Sequence, residues 1–241
     1  MTYRLRTFLL FCVGLFAATL WTYAAEMGVA TSPASAAPAF VRTVYLVRHG
    51  AYVDTPKGDE DVVDGLTPLG LAQARLVAAR LRGIPVEFTS LTASTMTRAR
   101  ETAAVISQMF PTLPLQKTVL LRETLPRTWR EDVMKDVTAK DLDASEAQLN
   151  QAFARFFVPA KGRDENDIVV CHGNVIRYFV TKALGVETKA WLGMSVAHCS
   201  LTIIQVTPKG TYRILAVGDI GHIPPNLQSG YSKTNAELVA P

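Results

Sequence analysis

Cysteine is scarce in this chain of 241 residues, which has three: Cys12, Cys171 and Cys199. None lies in a Cys-x-x-Cys pair or at a metal-ligand spacing, so the thiols point to no metal site and no redox pair. Cys171 and Cys199 fall in expected strands and read as buried free thiols. A bond between them stays open, since spacing cannot place two sulfurs at bonding distance. The chain also lacks a Lys/Arg stripe with interleaved aromatics, which argues against a nucleic-acid partner. The net charge of +4 and a pI near 9.0 are mild and favour anionic substrates only slightly. There is no internal repeat. Hydrophobic residues make up 49%, enough for one domain with a sizeable core and against a disordered composition.

The N-terminus stands apart. Arg4 and Arg6 precede residues 8–25, which carry no charge. That pattern reads equally as a signal peptide or as an N-terminal membrane anchor. Both readings carry the rest of the chain across a membrane and predict an exported or N-terminally anchored protein. A mitochondrial transit peptide would need more Arg and an amphipathic pattern, and ranks third. The expected organisation is a leader over 1–25, a flexible Ala/Ser/Pro linker over 26–40, a folded domain over 41–225 and a polar, loosely ordered tail over 226–241.

Within 41–225, strand and helix patterns alternate. That predicts an α/β fold with a mainly parallel central sheet flanked by helices. Strands are expected at 43–47, 86–91, 115–121, 167–171, 200–206 and 212–217, the last two joined by a hairpin at Pro208-Lys209-Gly210. Helices are expected from Thr67-Pro68 to about Arg82, over 98–109, over 145–157 and from the residues after His172 to Leu184. Leu149, Phe153, Phe156 and Phe157 form a core stripe.

The chemistry concentrates at strand ends. Val44-Tyr45-Leu46-Val47 runs into Arg48-His49-Gly50, and Ile168-Val169-Val170-Cys171 runs into His172-Gly173. Glu123 follows the third strand, and Arg98 opens the helix after the second. In open α/β sheets, ligands bind outside the carboxyl ends of the strands. Arg48 and Arg98 can fork onto phosphate oxygens. His49 can attack phosphorus, and His172 can donate to a phosphoryl oxygen in the transition state. Glu123 can protonate the leaving oxygen and then activate water. Gly50 and Gly173 let the backbone approach a ligand. Asp54 and Glu101 are competing acids near the same mouth. Such a set needs neither metal nor cofactor. Arg122 reads as a solvated charge, Asn174 as a helix cap and His222 as a loop residue, while His198, near a strand start, either lines the pocket or, the favoured reading, is a partly exposed structural residue.

These residues resemble the histidine phosphatase superfamily (phosphoglycerate-mutase-like, branch 1). Its Arg-His-Gly signature is similar to 48–50, its Arg-Ala segment to Ser94-Thr95-Met96-Thr97-Arg98-Ala99, and its late His-Gly to 172–173. Leu121-Arg122-Glu123 with Pro126, residues 171–178, and Gly218-Asp219 with Pro224-Pro225 resemble more closely the mitochondrial Ser/Thr protein phosphatases of the phosphoglycerate mutase family. Thr124-Leu125 departs from the small residues found there after the Glu. The resemblance implies a metal-independent phosphatase working through phosphohistidine, with a phosphorylated protein or a small phosphomonoester as substrate. Two alternatives stay in view: a phosphoglycerate-mutase-type phosphotransferase, and a non-catalytic phosphate-binding adaptor domain.

Overall fold

The computed structural model describes residues 39–55 and 58–231. Six strands form one sheet in the order β3-β2-β4-β1-β5-β6. They are β1 (Arg42–Arg48), β2 (Ser90–Ser94), β3 (Leu115–Thr118), β4 (Glu165–Cys171), β5 (Leu201–Val206) and β6 (Tyr212–Asp219). The helices are α1 (Pro68–Arg82), α2 (Thr97–Ser107), the short α3 (Glu131–Met134), α4 (Ala139–Phe156) and α5 (Gly173–Leu184). β1, β2, β3 and β4 run parallel, and β5 pairs antiparallel with both β1 and β6. The sheet is therefore mainly parallel and flanked by helices.

Strand alternation divides the core into two layers. Val44, Leu46, Val169 and Cys171 face a cluster with Leu149, Phe153, Val175 and Phe179 from α4 and α5. Tyr45, Val47, Ile168 and Val170 face the opposite cluster with Ala74, Val77, Leu81, Ala99 and Ile106 from α1 and α2. Both faces of β1 and β4 are covered, which explains why these strands read as unbroken apolar runs. α1 starts as its sequence predicts: Thr67 Oγ1 accepts from the Gly70 amide at 3.1 Å, with Pro68 at the first helical position.

Three elements differ from expectation. β2 begins at Ser90, because its pairing with β4 starts at Ser90 opposite Asp167 and not at the apolar Val86. β3 stops at Thr118, whose hydroxyl accepts from the Leu120 amide and turns 119–121 into a 3-10 helix. α4 begins at Ala139, capped by Thr138 Oγ1 accepting from the Asp141 amide at 3.2 Å, well before residue 145. The segment after Pro225 also differs over its first residues. Instead of lying loose, 227–230 packs back across the sheet ends: Gln73 Nε2 donates to the Leu227 carbonyl at 2.7 Å and to Ser229 Oγ at 2.8 Å.

Candidate active site

Three strand ends and one turn converge. His49 is 2% exposed and follows β1, and His172 is fully buried and follows β4. Their ring centres lie 5.0 Å apart. His49 Nδ1 sits 2.9 Å from the Gly50 carbonyl. A carbonyl only accepts, so Nδ1 carries the proton and Nε2 keeps its lone pair. Burial, then the neighbouring His172 and Arg48, hold His49 well below the usual imidazole range. Its ring is therefore neutral at neutral pH.

His172 makes its hydrogen bond through the other ring nitrogen, Nε2. Ser94 Oγ, at the end of β2, lies 2.9 Å from His172 Nε2 and accepts from the Met96 amide at 3.3 Å. The Ser94 hydroxyl keeps its own proton to give to Nε2, an arrangement that puts the ring proton on Nδ1. Nδ1 is buried and has no partner, a donor held ready for an oxygen. Burial, then Arg98 and Arg48, keep this ring neutral too.

Arg48 anchors one edge. Its Nη1 donates to the Val196 carbonyl at 2.7 Å and the Gly230 carbonyl at 2.8 Å, leaving Nε without a partner. Burial pulls its pKa down to about 10, so it remains a cation at neutral pH. Arg98 opens α2 and is buried. Its Nη1 donates to Glu60 Oε2 at 2.6 Å and lies 3.4 Å from Asp64 Oδ2, while its guanidinium sits 4.6 Å from the centre of the Tyr52 ring. Its Nε also lacks a partner. Arg98 is thus braced by two carboxylates from the loop after β1.

Glu123 follows the 3-10 turn after β3. Its Oε1 accepts from the Asn174 amide at 3.2 Å, in the first turn of α5. Burial raises its pKa against the opposing pull of Arg48 and Arg98. A carboxyl that holds its proton more tightly than usual suits the acid role. Of the competing acids, Asp54 is exposed and Glu101 accepts from the Leu66 amide at 2.6 Å.

The glycines act through packing. A Cβ on Gly50 would lie 2.6 Å from the Gly70 carbonyl oxygen, and one on Gly70 only 1.9 Å from that of Ala51. The turn carrying His49 therefore rests backbone to backbone on the start of α1. Gly173 is less constrained: its added Cβ would meet the Arg48 side chain at ordinary contact distance. Cys171 and Cys199 are both free and buried, and burial pushes their thiols up.

Three expectations need correction. Arg122 pairs with Asp61 and donates to Thr95 Oγ1 at 3.2 Å, because the loop after β1 reaches over it. Asn174 caps nothing: its amide serves Glu123 and its Nδ2 donates to the Thr124 carbonyl at 3.1 Å. His198 is partly exposed as expected, but its ring lies 5.4 Å from that of His49, which favours the pocket-lining reading over the structural one. Sequence reading also missed Arg177, whose charge is coupled to Glu123 and which reaches Asn174 Oδ1 at 3.4 Å. The usable signal was its place one helical turn after Asn174.

Paired imidazoles and guanidinium groups at the strand ends of a mainly parallel sheet define a phosphate-handling α/β protein. The family model described as histidine phosphatase superfamily (branch 1) matches residues 44–219, and the chain belongs to that superfamily. It is 37% identical over 196 residues to the "Serine/threonine-protein phosphatase Pgam5, mitochondrial" of Caenorhabditis elegans, a match covering 77% of this chain and 65% of that protein. The Xenopus tropicalis protein of the same name is 34% identical over 198 residues, covering 78% and 68%. The chain thus spans about two thirds of the length of these curated relatives. A phosphoglycerate mutase from Plasmodium falciparum superposes with a TM-score of 0.55 at 28% identity, over 77% of this chain and 96% of that one. A phosphoglycerate mutase from Bacillus anthracis gives 0.60 at 18% identity, over 76% and 96%, and shares the fold.

The relatives correct the expected location. Residues 8–25 pointed to an exported or membrane-anchored protein, whereas the curated relatives are named as mitochondrial and give export no support. Residues 1–38, on which that expectation rested, lie outside the described residues. Among the described residues, no helix is long and apolar enough to cross a membrane.

Proposed function

We propose that the protein hydrolyses phosphomonoesters through a phosphohistidine on His49, with phosphoserine or phosphothreonine in proteins as the substrate class. The observation that carries this is a pair of neighbouring buried rings bonded through opposite nitrogens, His49 through Nδ1 and His172 through Nε2, which leaves His49 Nε2 its lone pair and His172 Nδ1 without a protein partner. One ring attacks phosphorus while the other steadies the oxygen that gains charge. The names of the Pgam5 relatives favour a phosphoprotein over a small ester.

In the first step the His49 Nε2 lone pair forms a bond to phosphorus. The bond to the ester oxygen breaks, and the Glu123 carboxyl hands that oxygen its proton. Arg48, Arg98 and His172 spread the charge on the remaining oxygens. The Gly50 carbonyl holds the Nδ1 proton and disperses the positive charge of the modified ring. In the second step water attacks phosphorus, Glu123 carboxylate takes its proton, and the N–P electron pair returns to Nε2. Inorganic phosphate leaves and the enzyme is restored.

The test is steady-state hydrolysis in EDTA, comparing a phosphothreonine peptide, p-nitrophenyl phosphate and 3-phosphoglycerate. Peptide turnover that survives EDTA and vanishes in His49→Ala is the expected result. Isomerisation of 3-phosphoglycerate would instead favour the mutase reading. Tight phosphopeptide binding without turnover would favour the adaptor reading.

A further inference from the structure

Beside His49 lies a third imidazole with no part in the steps above. His198 occupies the turn that enters β5, and its ring centre is 5.4 Å from His49 and 6.3 Å from Tyr52. Its two ring nitrogens have different fates. Nδ1 lies 3.0 Å from Ser229 Oγ, in the segment that packs back over the sheet ends. Nε2, on the other edge, is buried and has no partner. A buried polar atom without a partner is costly and calls for an explanation.

The tautomer follows from a chain of hydrogen bonds. The Ala51 amide donates to Gln73 Oε1 at 2.9 Å, which fixes the Gln73 side-chain amide. Gln73 Nε2 then donates to Ser229 Oγ at 2.8 Å. That hydroxyl, accepting from Gln73, keeps its own proton to give to His198 Nδ1. In that arrangement His198 carries its ring proton on Nε2. Burial, with Arg48 and Arg98 nearby, takes its pKa to about 3, so the ring is a neutral donor and never a competing base. The His198 amide also donates to the Ser229 carbonyl at 2.9 Å, so ring and strap are tied twice. Gly230 crosses the ring so closely that a Cβ there would lie 2.7 Å from His198 Cγ and Nδ1. Its carbonyl receives Arg48 Nη1.

We propose that His198 is a further substrate-binding residue, donating from Nε2 to an oxygen of the phosphoryl group on its way to and from His49. The inference rests on the phosphatase reading and adds to it a second neutral imidazole donor beside His49. Ser229 and Gln73 are positioning residues that set its tautomer. The closing strap thereby serves the site twice, through His198 Nδ1 and through Arg48.

Vanadate, a phosphoryl analogue, is the probe. Its binding to the full chain is measured by calorimetry for wild type, His198→Gln, His198→Leu and Ser229→Ala. A lost hydrogen bond to a charged oxygen predicts about tenfold to hundredfold weaker binding in His198→Leu. His198→Gln, whose side-chain amide puts an N–H close to the Nε2 position, recovers most of that loss, and Ser229→Ala falls between. A role in packing alone predicts the reverse order, with Leu tolerated at least as well as Gln. Unchanged affinity in His198→Leu, or equal losses in Leu and Gln, would overturn the inference. Turnover of p-nitrophenyl phosphate by wild type is scored separately. Its absence would sink the phosphatase reading, whereas turnover with vanadate affinity unaltered by His198→Leu would sink this inference alone.

Discussion

Replacing Glu123 by glutamine removes one acidic proton and leaves the shape of the side chain. The amide oxygen can still accept from the Asn174 N–H that now reaches Oε1 at 3.2 Å. The position stays equally buried, so the loss is confined to acid–base chemistry. Positioned general acids contribute typically 10²–10⁴-fold, which corresponds to about 3–5 kcal/mol of barrier. The whole of that loss falls on substrates whose leaving oxygen needs a proton. An alkoxide departing from phosphothreonine does, while p-nitrophenolate is stable enough to leave without one. Glu123→Gln should therefore cut kcat/KM for a phosphothreonine peptide by about a hundredfold or more, with a far smaller effect on p-nitrophenyl phosphate. Phosphohistidine should also build up with the activated ester, because the variant lacks the base for the second step. The assay is the ratio of kcat/KM for the two substrates in wild type and variant, with rapid-quench detection of the phosphoenzyme. Equal losses on both substrates would refute the acid assignment and reopen the question of which carboxyl acts.

Stability should fall in mild acid. His49 and His172 have folded pKa values depressed below the unfolded value, so below about pH 6.5 the unfolded chain takes up protons that the folded chain refuses. Each ring then removes about 1.4 kcal/mol per pH unit as pH falls, and urea midpoints at pH 7 and pH 5 should show it; a flat profile would contradict the assignment of two neutral buried rings. Glu123, with its raised pKa, acts in the opposite sense and weakens the fold above the usual carboxylate range. Gly70→Ala places a Cβ 1.9 Å from the Ala51 carbonyl, a clash that no rotamer can relieve. It should cost about 1–3 kcal/mol or more in thermal unfolding and displace His49 as well, lowering activity. Ser94→Ala frees His172 to exchange tautomers and should reduce kcat/KM about tenfold with the fold intact by circular dichroism.

The elements read most clearly from sequence are those that local chemistry determines. β1 and β4 are apolar runs because both their faces are buried, and α1 announces itself through Thr67 and Pro68. The strand ends of these same elements carry His49 and His172, so the centre of the site was legible with them. β2 was misplaced because apolar Val86 lies outside the ladder, where it is exposed, whereas Ser90 lies inside it. The brace on Arg98 comes from Glu60 and Asp64, in an irregular loop whose path no periodicity encodes. His198 was weighed as a pocket residue and ranked second, for a topological reason. β5 runs antiparallel to β1, so the residue that enters one strand stands beside the residue that leaves the other. Nothing near residue 198 in the sequence carries that information.

The tie between Arg48 and Gly230 joins positions 182 residues apart, and that between Ser94 and His172 joins positions 78 apart. No hairpin or helix pair assembles a partial version of the phosphate cradle. Contacts of such long sequence separation form late, since loop-closure entropy must be met before they contribute. Refolding should regain helical signal early and turnover last, with a chain that is compact and already largely helical yet still inert.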